Sequence, residues 1–170
     1  MMGAPENRGT APGGLVVVGA LTLPGVRRSV GHARRFLRDM LPPDHPGLDD
    51  VVTVVSELVC NAVTHTASGG GGRVTVTLLA GDGLLRLEVA DDGAGGGRPL
   101  VRAETGAESG RGLRIVDALA RAWGYRPDGP GTVVWAEFRS AGRNLFGNSD
   151  RGLSPDSPRL IPAAFEGGEG

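Results

Sequence analysis

The chain has 170 residues, 18 Lys+Arg against 19 Asp+Glu, and a formal net charge of −1. That length fits one folded domain, and the balanced charge lacks the basic excess of a nucleic-acid binder. Every basic residue is arginine, which excludes a Schiff-base lysine, a lysine general base and the lysine-bearing phosphate loop.

Residues 1–13 are polar with Gly and Pro and read as a flexible tail. They lack the basic start and apolar stretch of a signal peptide. No apolar run approaches the roughly 18 residues of a membrane span, so a cytoplasmic protein without membrane contact is expected. Residues 15–23 are apolar and β-rich and predict a strand that Pro24-Gly25 ends. Val26, Val30, Ala33, Leu37 and Met40 then recur at helical spacing, and Pro42-Pro43 closes that helix. A second helix starts near Leu48, with Asp49 and Asp50 favourably placed in its first turn. It runs through Val51, Val55, Leu58, Ala62 and Val63 to the glycines at 69–72. Alternating Val74, Val76, Leu78 and Leu85, Leu87, Val89 flank Ala80-Gly81-Asp82-Gly83, so residues 73–91 read as a hairpin. Residues 92–109 are Gly-rich and irregular. A third helix spans about 110–122, with strands near 123–127 and 131–139. Residues 141–170 hold six Gly and three Pro without periodicity and read as a disordered tail, with Leu145, Phe146, Leu160, Ile161 and Phe165 as anchors if it binds a partner. The fold class is a two-layer α/β (α+β) sandwich with a folded domain over 14–140.

Four clusters carry chemistry. Glu57, Asn61 and His65 lie four apart and share one helix face. An amide oxygen beside phosphates suits a hard cation such as Mg²⁺, and a carboxylate one turn away suits a general base. On spacing alone the stripe fits a solvent-facing surface as well. Asp91-Asp92-Gly93-Ala94-Gly95 follows a strand. Its carboxylate can accept from an exocyclic amine and its glycines let backbone approach a ligand, although Asp-Gly is also an ordinary turn. Gly110-Arg111-Gly112-Leu113 opens an amphipathic helix, where free N–H groups and the dipole favour phosphate, while Ser109 there also reads as a simple N-cap. Gly131-Thr132 leads a strand, and Thr132 also reads as a plain β-branched strand residue. Cys60 is the single cysteine. It excludes an intramolecular disulfide and a cysteine-based zinc site, and it reads as a core or near-core thiol. Trp123 and Trp135 read as packing residues.

In this order the clusters resemble the N-box, the two glycine boxes and the final Gly-Thr of the GHKL superfamily, the Bergerat-fold ATPases. Residues 15–139 carry the resemblance, and the segment from Ser109 to Ala120 with Trp123-Gly124 looks most like the anti-sigma-factor serine/threonine kinases. The resemblance implies a mixed, mostly antiparallel sheet with three helices on one face. It implies ATP and Mg²⁺ as cofactors. Asp91, Gly93 and Gly95 would hold adenine with Thr132 in support. Asn61 would coordinate Mg²⁺. Gly110, Arg111, Gly112 and Leu113 would hold the phosphates, and residues 96–109 would form a lid. Glu57 would be the catalytic base. It further implies a sigma factor and an anti-anti-sigma protein as partners, with a homodimer as one assembly it allows. Two other readings stand beside it: a non-catalytic ATP-dependent sequestering module, and a detached histidine-kinase catalytic domain acting in trans.

Overall fold

The computed structural model describes residues 14–65, 71–92 and 109–140. The elements in chain order are β1 Val16–Pro24, α1 Ser29–Met40, α2 Leu48–His65, β2 Arg73–Gly81, β3 Leu84–Asp91, α3 Ser109–Leu119, β4 Ala122–Asp128 and β5 Gly131–Arg139. The expected flexible tails, 1–13 and 141–170, lie outside the described residues, as does the expected lid over 96–109 except for its last residue, Ser109, which opens α3.

The strands form one sheet in the order β1-β2-β3-β5-β4. Every described pairing is antiparallel, so the mixed sheet that was expected is antiparallel throughout the described residues. Its period-2 alternation puts Val74, Val76, Leu78, Leu85, Leu87, Val89, Ala136 and Phe138 on the helix-facing side. There they join Ala33 and Leu37 of α1, Val51, Val54, Val55, Leu58, Val59 and Ala62 of α2, and Val116 of α3 in one core. Burial of each such Val or Leu contributes about 1.5–3 kcal/mol, which makes this layer the main source of stability.

Two sequence expectations need correction. Val26 does not belong to α1: the helix begins at Ser29, whose hydroxyl donates to the Pro24 carbonyl at 2.6 Å, and Val26 is 39% exposed. Ser29 is fully buried, so this hydrogen bond supplies the polar partner that burial requires and fixes the turn between β1 and α1. Cys60 is exposed rather than near the core. The buried stripe of α2 runs through positions 51, 54, 55, 58, 59 and 62. Position 60 projects away from it, beside exposed Thr53 and Thr64. The hairpin held, with Leu84↔Gly81 next to a turn in which Asp82 takes φ 49° and Gly83 φ 72°. Trp135 is 3% exposed, and the half-buried Trp123 donates from its indole nitrogen to Asp117 at 3.0 Å.

Candidate nucleotide site

The helical spacing of α2 puts Glu57 and Asn61 one turn apart, and both are half-buried. α3 packs against α2 at this point. Gly112 is buried there, and a Cβ on it would stand 2.7 Å from Glu57 Oε2 and 3.7 Å from both Asn61 Oδ1 and Nδ2. The carboxylate and the amide therefore face the first turns of α3, and only glycine fits at 112 with Glu57 where it is. The start of a helix offers unpaired N–H groups and positive dipole potential. A carboxylate, an amide oxygen and a helix start thus converge on one spot.

The second part of the site lies at the end of β3. Asp91 pairs with Val74 of β2 and with Thr132 of β5, on the helix-facing side of the sheet. Thr132 is 2% exposed. Gly131 beside it is forced by close approach, because a Cβ there would fall 1.9 Å from the Asp91 carbonyl oxygen. The next residue, Asp92, accepts a hydrogen bond from the Arg73 backbone N–H, which ties the end of β3 to the start of β2. α2 packs on both β3 and α3, so one helix bridges the two parts.

Of the residues singled out in the sequence, the structure brings Glu57, Asn61 and Gly112 together, and Asp91 and Thr132 together. Gly110 lies in the first turn of α3. Arg111 is exposed and Leu113 half-buried. Gly93 and Gly95 lie outside the described residues, as does the side chain of His65. Two contributors escaped the motif reading: the steric role of Gly131 and the strand-end tie through Asp92. The signal for the first was present, since a glycine in a β-rich strand marks close backbone approach. No group of three or more His, Cys, Asp or Glu side chains suited to a metal converges among the described residues.

The sequence profile of the histidine kinase-like ATPase domain matches residues 23–138. The chain belongs to that family. Within it, the chain is 42% identical over 55 residues to the anti-sigma F factor of Clostridium acetobutylicum, covering 32% of this chain and 38% of that protein. It is 36% identical over 97 residues to the histidine protein kinase DivJ of Caulobacter vibrioides, covering 51% of this chain and 16% of that one. Among solved structures it is similar to the RsbU and RsbW domains of Rv1364c from Mycobacterium tuberculosis, with a TM-score of 0.50 and 25% identity over 72% of this chain and 32% of that one. The chain thus matches well under half the length of these relatives. The GHKL resemblance of the anti-sigma kinase type holds, and membership of an ATPase family implies ATP binding. Among the described residues no helix is long and apolar enough to cross a membrane.

Proposed function

We propose that this protein is an ATP-dependent serine/threonine kinase of the anti-sigma type, which phosphorylates an anti-anti-sigma protein and sequesters a sigma factor in the cytoplasm. The observation that carries the reading is Gly112 set against Glu57 and Asn61. It puts a carboxylate and an amide oxygen where the start of α3 can receive phosphates. The likeness to an anti-sigma F factor and to a structure containing an RsbW domain supports the choice of protein substrate. The exposed arginines of α1, Arg27 and Arg28 just before it and Arg34, Arg35 and Arg38 within it, support a protein partner with an acidic surface.

In this reading ATP supplies the phosphoryl group when bound, and Mg²⁺ neutralises charge on its phosphates. The residues present fit both. The missing Cβ at Gly112 leaves a cradle beside two oxygen-bearing side chains, and Asn61 offers one hard oxygen donor that phosphate oxygens and water would complement. Asp91 accepts from the adenine amine, held in place by the β3–β5 ladder, with the buried Thr132 hydroxyl beside it. Gly93 and Gly95 are assigned to the adenine side of the site by their place in the glycine box. Backbone N–H groups at Gly110, Arg111, Gly112 and Leu113 hold phosphate oxygens, and exposed Arg111 adds a cation. Glu57 takes the proton of the partner's serine or threonine hydroxyl while that oxygen bonds to phosphorus and ADP departs. A positioned carboxylate contributes on the order of 10²–10⁴-fold to such a step.

The test is a radiolabelled transfer assay with the candidate anti-anti-sigma protein, run beside nucleotide binding. Glu57→Gln should bind ATP like the wild type and lose transfer. Asn61→Ala should bind ATP with no dependence on Mg²⁺. Full transfer by Glu57→Gln removes the base assignment. A wild type that binds ATP and the sigma factor but never transfers phosphate makes the protein a sequestering module instead.

A further inference from the structure

The sheet has a second face, opposite the three helices. Alternation puts Leu79 of β2, Arg86 and Glu88 of β3, Val133, Trp135, Glu137 and Arg139 of β5, and Arg126 of β4 on it. No described helix lies there, yet the side chains are not exposed. Arg86 is 1% exposed, Trp135 and Val133 3%, Leu79 6% and Glu137 7%, and Leu79, Val133 and Trp135 stand outside the main core.

The polar groups form a network with a surplus of donors. Arg86 donates from Nε to Glu88 and from Nη1 to Glu137, each at 2.9 Å. Its guanidinium lies 4.2 Å from the centre of the Trp135 ring, a cation–π distance. Arg126 crosses to Glu88 at 2.9 Å, and Arg121 approaches Glu137 at 3.9 Å. Two carboxylates thus serve three arginines, with Arg139 a fourth on the same face. Among the described residues, three donors on this face are buried without an acceptor: Arg86 Nη2, Arg126 Nε and Trp135 Nε1. Buried donors left unpaired are costly and uncommon in native proteins. The face therefore calls for an occupant that brings oxygen acceptors, negative charge and apolar cover.

We propose that the occupant is the chain's own C-terminal segment, residues 141–170, seated across this face. This inference is independent of the kinase reading. The segment leaves from Ser140, whose N–H donates to the Gly83 carbonyl at 2.8 Å. At that point a cleft of about 390 Å³ opens between Asp82, Gly83, Leu84, Arg121, Arg139 and Ser140, at the end of the same face. The segment carries four carboxylates, Asp150, Asp156, Glu166 and Glu169, against three arginines, Arg143, Arg151 and Arg159, so it brings acceptors with a small negative excess, and Leu160, Ile161 and Phe165 supply apolar cover. Five strands about 4.8 Å apart make a sheet roughly 20–25 Å wide, which a short extended stretch of the segment can cross.

The test uses the full-length chain with Trp123→Phe, which leaves Trp135 as its only tryptophan. Two further variants change the segment alone: Asp150→Asn/Asp156→Asn/Glu166→Gln/Glu169→Gln, and Leu160→Ser/Ile161→Ser/Phe165→Ser. Each should raise acrylamide quenching of Trp135 about twofold or more and shift its emission to the red, as expected when a buried indole gains water, with far-UV circular dichroism unchanged. A second measurement leaves the acceptors in place. A nitroxide attached through Phe165→Cys in a Cys60→Ser background should broaden the Trp135 indole resonance, and dilution with unlabelled protein should not relieve it. Quenching unchanged in both segment variants, with the indole resonance left sharp, overturns the proposal. Shielding of Trp135 that grows with protein concentration, or broadening lost on dilution with unlabelled protein, also overturns it and assigns the face to a second copy.

Discussion

Gly131→Ala probes the junction that holds Asp91. The added Cβ would lie 1.9 Å from the Asp91 carbonyl oxygen, 3.1 Å from its carbonyl carbon and 3.4 Å from the Asp128 carbonyl oxygen. All three are backbone atoms in or beside ladders, so no flexible side chain can give way. β3 and β5 must separate by more than an ångström where Asp91 faces Thr132. Overpacking of this kind costs about 1–3 kcal/mol or more, which lowers the melting temperature by roughly 3–12 °C for a domain of this size. The displaced Asp91 should weaken ATP binding about tenfold, or 1.4 kcal/mol. Gly129→Ala is the matched control. Gly129 has φ +58° with nothing within 4 Å of an added Cβ. It should cost only about 1–2 kcal/mol of backbone strain and leave ATP affinity alone. Thermal unfolding and calorimetric titration of the three proteins decide the matter. A Gly131→Ala protein that matches the wild type in both melting temperature and ATP affinity refutes the reasoning.

Gly112→Ala should separate chemistry from folding. Alanine favours the helix by about 1 kcal/mol, so the melting temperature should hold or rise. Its Cβ, 2.7 Å from Glu57 Oε2, must push the carboxylate aside, and a displacement of about 1 Å can reduce a catalysed rate on the order of 10²-fold. The transfer assay should register that loss, and the methyl in the phosphate cradle should weaken ATP binding as well. A second expectation concerns pH. His45 is buried, its Nδ1 accepts from the Gly47 N–H at 3.1 Å, and its Nε2 has no partner among the described residues. Burial lowers its pKa below the usual 6.5, against a smaller upward pull from Asp44. The unfolded chain therefore binds the proton first, and the stability His45 permits at neutral pH is lost as pH falls below about 6.5 toward the lowered folded value. Denaturant melts across pH 7.5 to 5 should show this slope in the wild type, and a shallower one in His45→Gln.

The parts of the fold legible in sequence are those fixed by local spacing. The 73–91 hairpin showed through Val74, Val76 and Leu78 set against Leu85, Leu87 and Val89, because a strand's period of two survives without tertiary context. The inward stripe of α2 was equally plain. Cys60 was misjudged because it sits between the apolar Leu58-Val59 and the mostly apolar Ala62-Val63, where hydrophobicity alone does not say which way position 60 points. Val26 fitted the helical period, but a hydrogen bond from Ser29 back to Pro24 set where the helix begins. The four motifs named the candidate site residues. Their meeting could not be read from spacing, because Gly112 reaches Glu57 and Asn61 across about 50 residues of chain. The Arg86–Glu137 pair, 51 residues apart, was invisible for the same reason. Along β3, Arg86 and Glu88 alternate with leucine and valine as surface residues would.

The measurement closest to the central claim is a calorimetric titration of ATP with Mg²⁺ into the full-length wild type and Asp91→Asn. The wild type should bind one nucleotide, and the substitution should weaken binding at least about tenfold, or 1.4 kcal/mol, with the melting temperature of the free protein unchanged. Asp91→Asn binding ATP as tightly as the wild type, or a folded wild type that binds none, contradicts the placement of a nucleotide between α2, α3 and the end of β3.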